Sequence, residues 1–424
     1  MRAYGKMCAR ALLALVYATL SYSRPLRPLL SRGSDKSRLQ AVQLSLDLVV
    51  AGPWLRGRVH NGPEALLSKM SRARRAHAFD RVVARHQGNV TESSALTVVQ
   101  RLLICSVTLG DGRAFKVLVD TGSGNLAVPS ADCRSDGCRG RRGFEPEDDS
   151  TGQFLPGATD LHLGFATGKL DGSGFRGRVC FGHMCGQISF LVAAAESAEF
   201  QHFGFDGILG LGPPRQALAS GFNVLGSLAS QGVLPQAAFL LSLRSRAQSS
   251  LTLGTVGNFS WNGSTPAWLS ADARHGEWAV HLQDIRLDGK VSEACGKDGC
   301  RAVLDSGCAG IAIPAPALKK IKDRLQLESC SESSIQELPT LGFVLGNGHT
   351  YEVRPEKYVE ISSARISEEL TEDEADDGPH CRLLIQPTGD FSARTAILGL
   401  PFLFDRDIAF DQEHMRVGLS EPSA

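Results

Sequence analysis

One short pattern occurs twice in this chain and each time places a carboxylate beside a hydroxyl and a glycine. Asp120 begins an Asp-Thr-Gly sequence and Asp305 an Asp-Ser-Gly sequence, and each lies between two apolar runs. An Ile-Leu-Gly sequence follows each copy, at Ile208 (88 residues after Asp120) and at Ile397 (92 residues after Asp305). The repeat predicts one fold unit used twice, with a two-aspartate active site between the copies.

The residue types around the two aspartates indicate what chemistry the pair can perform. Gly122 and Gly307 allow a tight turn that exposes each carboxylate at a strand end. The hydroxyls of Thr121 and Ser306 can bond backbone across the symmetry axis and lock the two loops together. Two carboxylates held close cannot both ionise, so the pair binds one proton and titrates as a unit. One can then act as general base on a water while the other, protonated, polarises a scissile carbonyl.

Short strands must position these residues. From about Leu96 onward, short apolar runs are separated by Gly, Asp and Pro, which is typical of strands joined by turns. The sequence predicts strands at 115–119, 187–192, 239–243, 302–304 and 408–410, and helices at 216–231 and 316–327. We therefore expect an all-β body built from a repeated half.

The chain from about residue 96 to 420 resembles the pepsin-like (family A1) aspartic endopeptidases. The resemblance rests on three segments, residues 120–130, 133–151 and 396–419. It implies an all-β, bilobal fold with the active-site cleft between two homologous lobes. It also implies that Asp120 and Asp305 are catalytic, that peptide bonds of polypeptide substrates are hydrolysed at acidic pH, and that no cofactor or metal is needed.

The same resemblance assigns roles to the residues around the pair. It makes Thr121 and Ser306 the interlocking hydroxyls, and it predicts a hydrogen bond from Ser123 to Asp120. The flap over the substrate is predicted at residues 163–168. Its substrate-binding members would be Phe165, Ala166, Thr167 and Gly168.

Three positions depart from the family pattern. Phe165 stands where the family usually has Tyr, and Ala127 stands where it has the Trp that contacts the Tyr hydroxyl. Losing both partners leaves no buried polar group unpaired, and it predicts a looser flap with slower turnover. Cys308 replaces a Thr or Ser hydroxyl that supports the second aspartate, so Asp305 is expected to be less well held.

The charge of the chain is unevenly distributed. The net charge is zero, but residues 1–95 carry 16 Lys and Arg against 5 Asp and Glu, a surplus of +11, and the remainder carries −11. This asymmetry favours an intramolecular partner over nucleic acid. A transit peptide or a solvated basic arm is the alternative. By resemblance the basic segment is a propeptide that inhibits the enzyme, with Lys69 or a nearby Arg paired with the two aspartates at neutral pH.

These observations predict four segments. Residues 1–23 have a basic start and a short apolar stretch, which is typical of a secretory signal peptide, with an uncleaved anchor as the alternative. Residues 24–95 are the predicted propeptide, 96–265 the N-terminal lobe with Asp120 and the flap, and 266–424 the C-terminal lobe with Asp305. No later stretch is long enough to span a bilayer. We expect a monomer that is secreted or sent to an acidic lysosome-like or vacuole-like compartment.

The 11 cysteines favour export and disulfide bonds over zinc, because no histidine cluster accompanies them. Three pairs share the C-x4-C spacing, Cys133/Cys138, Cys180/Cys185 and Cys295/Cys300, and Cys330 and Cys381 remain as a long-range pair. The family resemblance covers all of these except Cys180/Cys185. Cys105 and Cys308 are left as free thiols or as partners of each other, and a redox-sensitive Cys308 is a further alternative. Sequons mark three candidate N-glycosylation sites, Asn89, Asn258 and Asn262.

Two other classes of function compete with the peptidase. A pepsin fold without catalysis could serve as a binding or inhibitory protein, and the three departures keep that alternative open. A metal-binding or carbohydrate-binding β protein is the other, and sensitivity to a chelator would distinguish it.

Overall fold

The computed structural model describes most of the chain beyond residue 99 and two short segments before it. The described residues are 42–45, 47–51, 100–165, 167–243, 249–254, 256, 261, 266–272, 276–326, 330–362, 380–388 and 394–420. The predicted signal peptide, most of the predicted propeptide, Ala166 and the three glycosylation candidates lie outside these residues.

Among the residues that the structure describes, twelve strands precede residue 255. They are β1 (Val42–Ser45), β2 (Asp47–Ala51), β3 (Gln100–Leu109), β4 (Arg113–Asp120), β5 (Leu126–Pro129), β6 (Gln153–Phe154), β7 (Leu161–Phe165), β8 (Gly168–Phe181), β9 (Met184–Glu196), β10 (Gly207–Gly210), β11 (Ala238–Leu243) and β12 (Ser250–Gly254).

Thirteen strands follow. They are β13 (Ala267–Ser270), β14 (Ala279–Leu287), β15 (Lys290–Val291), β16 (Cys300–Leu304), β17 (Ile311–Ile313), β18 (Leu341–Leu345), β19 (Thr350–Val353), β20 (Val359–Ser362), β21 (His380–Leu383), β22 (Ile385–Pro387), β23 (Thr395–Leu398), β24 (Arg406–Asp411) and β25 (Arg416–Leu419).

The helices in the described part of the chain are short. The α-helices are α1 (Val224–Ser230), α2 (Ala315–Ile321), α3 (Glu332–Gln336), α4 (Pro355–Tyr358) and α5 (Leu400–Leu403). Single 3-10 turns lie at Asp136–Cys138, Pro146–Asp148, Ala198–His202, Pro214–Gln216, Ser220–Phe222 and Lys322–Arg324.

Each half of the chain repeats one strand arrangement around its aspartate. In the first half β4 lies parallel to β10, and β10 lies antiparallel to β5. In the second half β16 lies parallel to β23, and β23 lies antiparallel to β17. The two arrangements belong to a nine-stranded and an eight-stranded sheet, one for each lobe. The fold is therefore all-β and bilobal with a repeated half, as the sequence predicts.

A third sheet of six strands, in the order β1-β12-β11-β24-β25-β13, joins elements from both ends of the chain. Its packing includes Phe239 of β11 stacked on Phe410 of β24, with ring centroids 4.5 Å apart, and the buried Trp278 at 5.2 Å from Phe410. Two strands from the predicted propeptide take part in the sheets. β1 is an edge strand against β12, and β2 pairs with β3.

All five predicted strands are present, but both predicted helices are shorter than expected. Only Val224–Ser230 of the predicted helix 216–231 is α-helical. The residues before it bond to a different part of the chain, because the backbone N–H of Leu218 donates to Asn125 Oδ1 at 2.9 Å and Gln216 accepts from Asn125 Nδ2 at 3.2 Å. In the second helix, Ala315–Ile321 is α-helical and a 3-10 turn follows it.

The four predicted disulfides are present, Cys133–Cys138, Cys180–Cys185, Cys295–Cys300 and Cys330–Cys381. Cys105 and Cys308 do not pair with each other, since they lie in separate buried clusters. Cys308 is disulfide-bonded, so the prediction that it is a free thiol or the partner of Cys105 is wrong. Among the described residues, no helix is long and apolar enough to cross a membrane, and no cluster of His, Cys, Asp or Glu has the make-up of a metal site.

The disulfides differ in how strongly they constrain the unfolded chain. Replacing both Cys330 and Cys381 by Ser opens a link of 51 residues and should lower the free energy of unfolding by roughly 4 kcal/mol. The same change at Cys180 and Cys185 opens a link of 5 residues and should cost about 2 kcal/mol. Denaturant unfolding of both variants beside the wild type measures the difference. A larger loss from the short link would contradict the loop-length argument.

Candidate active site

The repeated strands bring Asp120 and Asp305 to the same place between the lobes. Asp120 is the last residue of β4, and its carbonyl accepts from the N–H of Leu211 at 2.8 Å. Asp305 directly follows β16, and its N–H donates to the carbonyl of Leu398 at 3.1 Å. Each Ile-Leu-Gly segment is thus the strand that lies beside an aspartate loop, which explains why this element recurs in the sequence.

Hydroxyl groups cross between the two loops. Thr121 Oγ1 donates to the carbonyl of Leu304 at 2.9 Å and accepts from the N–H of Ser306 at 2.9 Å. Ser306 Oγ donates to the carbonyl of Val119 at 2.7 Å and accepts from the N–H of Thr121 at 3.1 Å. All four bonds are buried, and together they lock each aspartate loop to the other lobe, as the sequence predicts.

The two glycines are required for a reason that differs from the predicted one. Neither Gly122 nor Gly307 has a positive φ angle, so turn conformation is not the constraint. A Cβ atom on Gly122 would lie 2.7 Å from the carboxyl group of Asp305, and one on Gly307 would lie 2.5 Å from Asp120 Oδ1. Each glycine therefore makes room for the opposite carboxylate. The N–H of each glycine also donates to the carboxylate of its own loop, at 2.9 Å in both cases.

Burial makes both members of the pair weaker acids than an exposed aspartate. Asp120 is 7% exposed and Asp305 is 3% exposed. Desolvation raises the pKa of Asp120, although hydrogen bonds from its surroundings oppose the shift. Desolvation and the charge of Asp120 raise the pKa of Asp305 well above its ordinary value. The pair therefore titrates as a unit, and because the rise is larger at Asp305 we expect Asp305 to carry the shared proton and Asp120 to be the ionised member.

The supports of the two aspartates are unequal. The buried hydroxyl of Ser123 lowers the pKa of Asp120, although within the described residues it makes no hydrogen bond of standard geometry. On the other side, Cys308 Sγ lies 3.2 Å from the carbonyl oxygen of Gly310. The backbone N–H of Cys308 donates to Asp305. The sulfur of Cys308 is disulfide-bonded, so the thiol that the sequence suggested beside Asp305 is not there.

A cavity of about 50 Å³ opens beside the pair, and its walls are largely apolar. It is lined by both aspartates, Gly307, Thr167 and apolar side chains that include Leu102, Leu118, Ile208, Phe165, Phe200, Phe203 and Phe205. This space is large enough for a water molecule, and the two carboxyl groups supply polar partners for it. The cavity has the size and polarity for a reacting water and a carbonyl group, with an apolar wall next to them.

Phe165 and Thr167 of the predicted flap line this cavity, and Gly168 pairs with Phe165 at the tip of the β7–β8 hairpin. Phe165 meets Phe200 edge-on, with ring centroids 6.0 Å apart. Ala127, in β5, is fully buried in the apolar cluster that contains Phe200. Aromatic packing therefore holds the flap in the place where the resemblance implies a hydroxyl contact.

Two residues that support the site through hydrogen bonds to its backbone were not predicted from the sequence. Trp278 Nε1 donates to the carbonyl of Leu211 at 2.9 Å, and Gln412 Nε2 donates to the carbonyl of Gly212 at 3.0 Å. Both carbonyls immediately follow β10, and both donors come from beyond the first lobe. A lone Trp and a lone Gln carry no pattern, so no sequence signal distinguished them.

The crossed hydroxyls should contribute measurably to stability. Thr121→Val keeps the side-chain shape but leaves the carbonyl of Leu304 and the N–H of Ser306 without their partner, so unfolding free energy should fall by about 1–3 kcal/mol. Ser306→Ala should cost a similar amount, and the double variant less than the sum, because both changes break one network. Thr252→Val, on β12 away from the site, is the control. Denaturant titration measures all four, and strict additivity would contradict a shared network.

The raised pKa of Asp305 predicts a pH-dependent gain in stability when its charge is removed. A carboxyl whose folded-state pKa is raised stabilises the fold below its unfolded pKa, and that contribution is lost as pH rises through the folded pKa. Asp305→Asn cannot ionise, so its melting temperature should exceed the wild-type value at pH 7 by about 2–4 °C for each kcal/mol relieved, and less at pH 3. Asp298→Asn, whose carboxylate is 81% exposed, is the matched control. A gain that does not depend on pH would contradict the assignment.

Comparison with known proteins agrees with this geometry. A family model described as eukaryotic aspartyl protease matches residues 104–422. Pepsin A of Bos taurus is 31% identical over 267 residues, which cover 59% of this chain and 70% of that protein. Pepsin-2B of Gadus morhua is 32% identical, covering 59% of this chain and 78% of its own, and gastricsin of Cavia porcellus is 30% identical, covering 58% and 64%. The match spans the repeated strands and both aspartate loops, so this chain belongs to the eukaryotic aspartyl protease family.

Proposed function

We propose that this protein is an aspartic endopeptidase that hydrolyses peptide bonds at acidic pH and is made as a zymogen. One observation carries the proposal. Asp120 and Asp305 are buried together, their pKa values are both raised, and they are held by reciprocal hydrogen bonds between the lobes. That arrangement supplies a general base and a general acid within one site.

The protonation states assign a role to each aspartate. Asp120 accepts a proton from water while the water oxygen attacks the carbonyl carbon of the peptide. Asp305 donates its proton to the carbonyl oxygen, which gives a tetrahedral diol. Collapse of that diol breaks the C–N bond: the proton on Asp120 passes to the leaving nitrogen, and one diol hydroxyl returns its proton to Asp305 as the carboxyl group forms. The mechanism needs Asp305 protonated, so activity should fall as pH rises through its raised pKa.

The cavity supports an apolar side chain next to the scissile bond. Phe165, Phe200, Phe203 and Phe205 face the space beside the two carboxylates. Burying a side chain such as Leu or Phe against them would contribute about 1.5–3 kcal/mol to binding. Polypeptides with such residues at the cut are therefore the proposed substrates.

Zymogen formation is supported by charge and by strand pairing. The basic segment 24–95 contains β1 and β2, which pair with β12 and β3 of the catalytic body. Acid protonates carboxylates and so weakens ion pairs between this segment and the acidic body. The four disulfides and the acid chemistry favour export to the exterior or to an acidic compartment.

A catalytically impaired pepsin-fold binding protein is disfavoured as an alternative. Both aspartates, both crossed hydroxyls and both close-approach glycines are in place. The departures at Phe165, Ala127 and Cys308 replace supporting contacts and remove none of the reacting groups.

Proteolysis at about pH 4 tests the proposal. The purified protein is incubated with a denatured protein substrate, with and without pepstatin, beside Asp120→Asn and Asp305→Asn. We expect pepstatin-sensitive cleavage by the wild type and a loss of roughly 10³-fold or more in each variant, because each removes one member of the acid–base pair.

Asp132→Asn is the control, because its side chain is 96% exposed and its charge lies outside the site; it should cleave as the wild type does. If the folded protein cleaves nothing, even after residues 24–95 are removed by another protease, the binding-protein alternative replaces the proposal.

A further inference from the structure

Arg141 is a buried arginine outside the catalytic network. Its side chain is 5% exposed and forms an ion pair with Glu196, whose side chain is 1% exposed. Burying a charged pair costs desolvation energy, which is offset only when the remaining donors are well satisfied. Arginine suits such places because its planar fork can reach several acceptors at once. The partners of Arg141 therefore indicate why a cation lies there.

The donors of Arg141 hold the chain that carries the aromatic wall. Nε donates to the carbonyl of Phe205 at 3.0 Å, and Nη2 donates to the carbonyl of Asp206 at 2.7 Å. Both carbonyls immediately precede β10, the strand beside Asp120. Nη1 also donates to the carbonyl of Gly137 at 3.2 Å, which ties this stretch to the Cys133–Cys138 turn.

The guanidinium also packs on the rings themselves. Its central carbon lies 5.7 Å from the ring centroid of Phe200 and 5.5 Å from that of Phe205, within the range of cation–π attraction. Phe205 in turn stacks on Phe203, with ring centroids 5.3 Å apart and planes within 10° of parallel. One cation thus fixes both the backbone and the rings of the wall.

The Arg141 guanidinium keeps its charge over the pH range in which the enzyme is proposed to act. Burial lowers the pKa of Arg141 to about 10, and the charge of Asp206 partly opposes that shift. The guanidinium therefore stays charged throughout the acidic range. Glu196 lies at the end of β9, and its N–H donates to Ser135 Oγ at 2.8 Å, so the partner of Arg141 is itself anchored.

We propose that Arg141 is a positioning residue that fixes Phe200, Phe203 and Phe205 and so sets the preference for a large apolar side chain next to the scissile bond. The inference rests on the proposed peptidase function. Arg141 acts through the aromatic wall rather than on the reacting atoms. Its removal should change which peptides are accepted more than it changes the chemical step.

The test compares two peptides that differ only in Phe or Ala at the position before the scissile bond. Arg141→Met should lower the kcat/KM ratio of the Phe to the Ala peptide by about tenfold, mainly through KM for the Phe peptide. Activity on the Ala peptide should remain within about threefold of wild type. Arg139→Met, from the same turn with a side chain 73% exposed, should leave both values unchanged.

Further variants separate positioning from folding. Arg141→Met with Glu196→Gln removes the pair without stranding a buried carboxylate, and it should show the same drop in ratio. Arg141→Lys keeps the charge but loses the planar fork. If the other variants do not fold, the Phe-to-Ala ratio of kcat/KM in Arg141→Lys is the deciding measurement. An unchanged ratio in a folded variant, or an equal loss on both peptides, would overturn the proposal.

Binding of uncleavable analogues tests the positioning role of Arg141 separately from the proposed peptidase function. In these analogues a hydroxyethylene group replaces the scissile peptide bond, and the ratio of the Kd of the Ala analogue to the Kd of the Phe analogue is measured for each variant. If the wild type hydrolyses neither peptide, the proposed function fails, but a Kd ratio that drops in the Arg141 variants still supports the positioning role. A Kd ratio that stays at the wild-type value contradicts it.

Discussion

The active site depends on the hydroxyl groups that cross between the lobes. Thr121 and Ser306 each bond a carbonyl that precedes the opposite aspartate and an N–H of the opposite loop. Separating the carboxylates would break these buried bonds and leave polar groups unpaired away from water, which is costly. The closeness of the carboxylates, their burial and their shared proton all follow from this constraint.

Closeness alone would give two equivalent acids, and the surroundings make them different. The N–H of Gly122 and the hydroxyl of Ser123 favour the charged form of Asp120. Asp305 is held by the backbone donors of Gly307 and Cys308, and the charge of Asp120 raises its pKa further. The asymmetry in support thus becomes an asymmetry in protonation, which gives the site a base and an acid. The aromatic wall then adds selection of the side chain next to the reacting bond.

The sequence predicted the parts of this structure that recur in pattern. The duplicated motif predicted the repeated half, the aspartate pair and the crossed hydroxyls. Cysteine spacing predicted three disulfides and left Cys330 and Cys381 as a fourth pair. Sequence-based prediction failed where tertiary contacts determine the local structure. Residues 216–222 form no α-helix because Asn125 binds their backbone, and Gly122 is needed for a close approach that no local pattern encodes. Arg141 left no signal because its partners are carbonyl groups and rings, which any sequence offers.

Carboxyl-carbon NMR titration of protein labelled with ¹³C at its aspartates tests the central claim most directly. Comparison of the wild type with Asp120→Asn and Asp305→Asn assigns the two signals. The account predicts that one proton remains bound to the pair well above the ordinary aspartate pKa and resides on Asp305, and that Asp120→Asn brings the pKa of Asp305 down by removing the neighbouring charge. Two independent titrations at ordinary aspartate pKa values would contradict it.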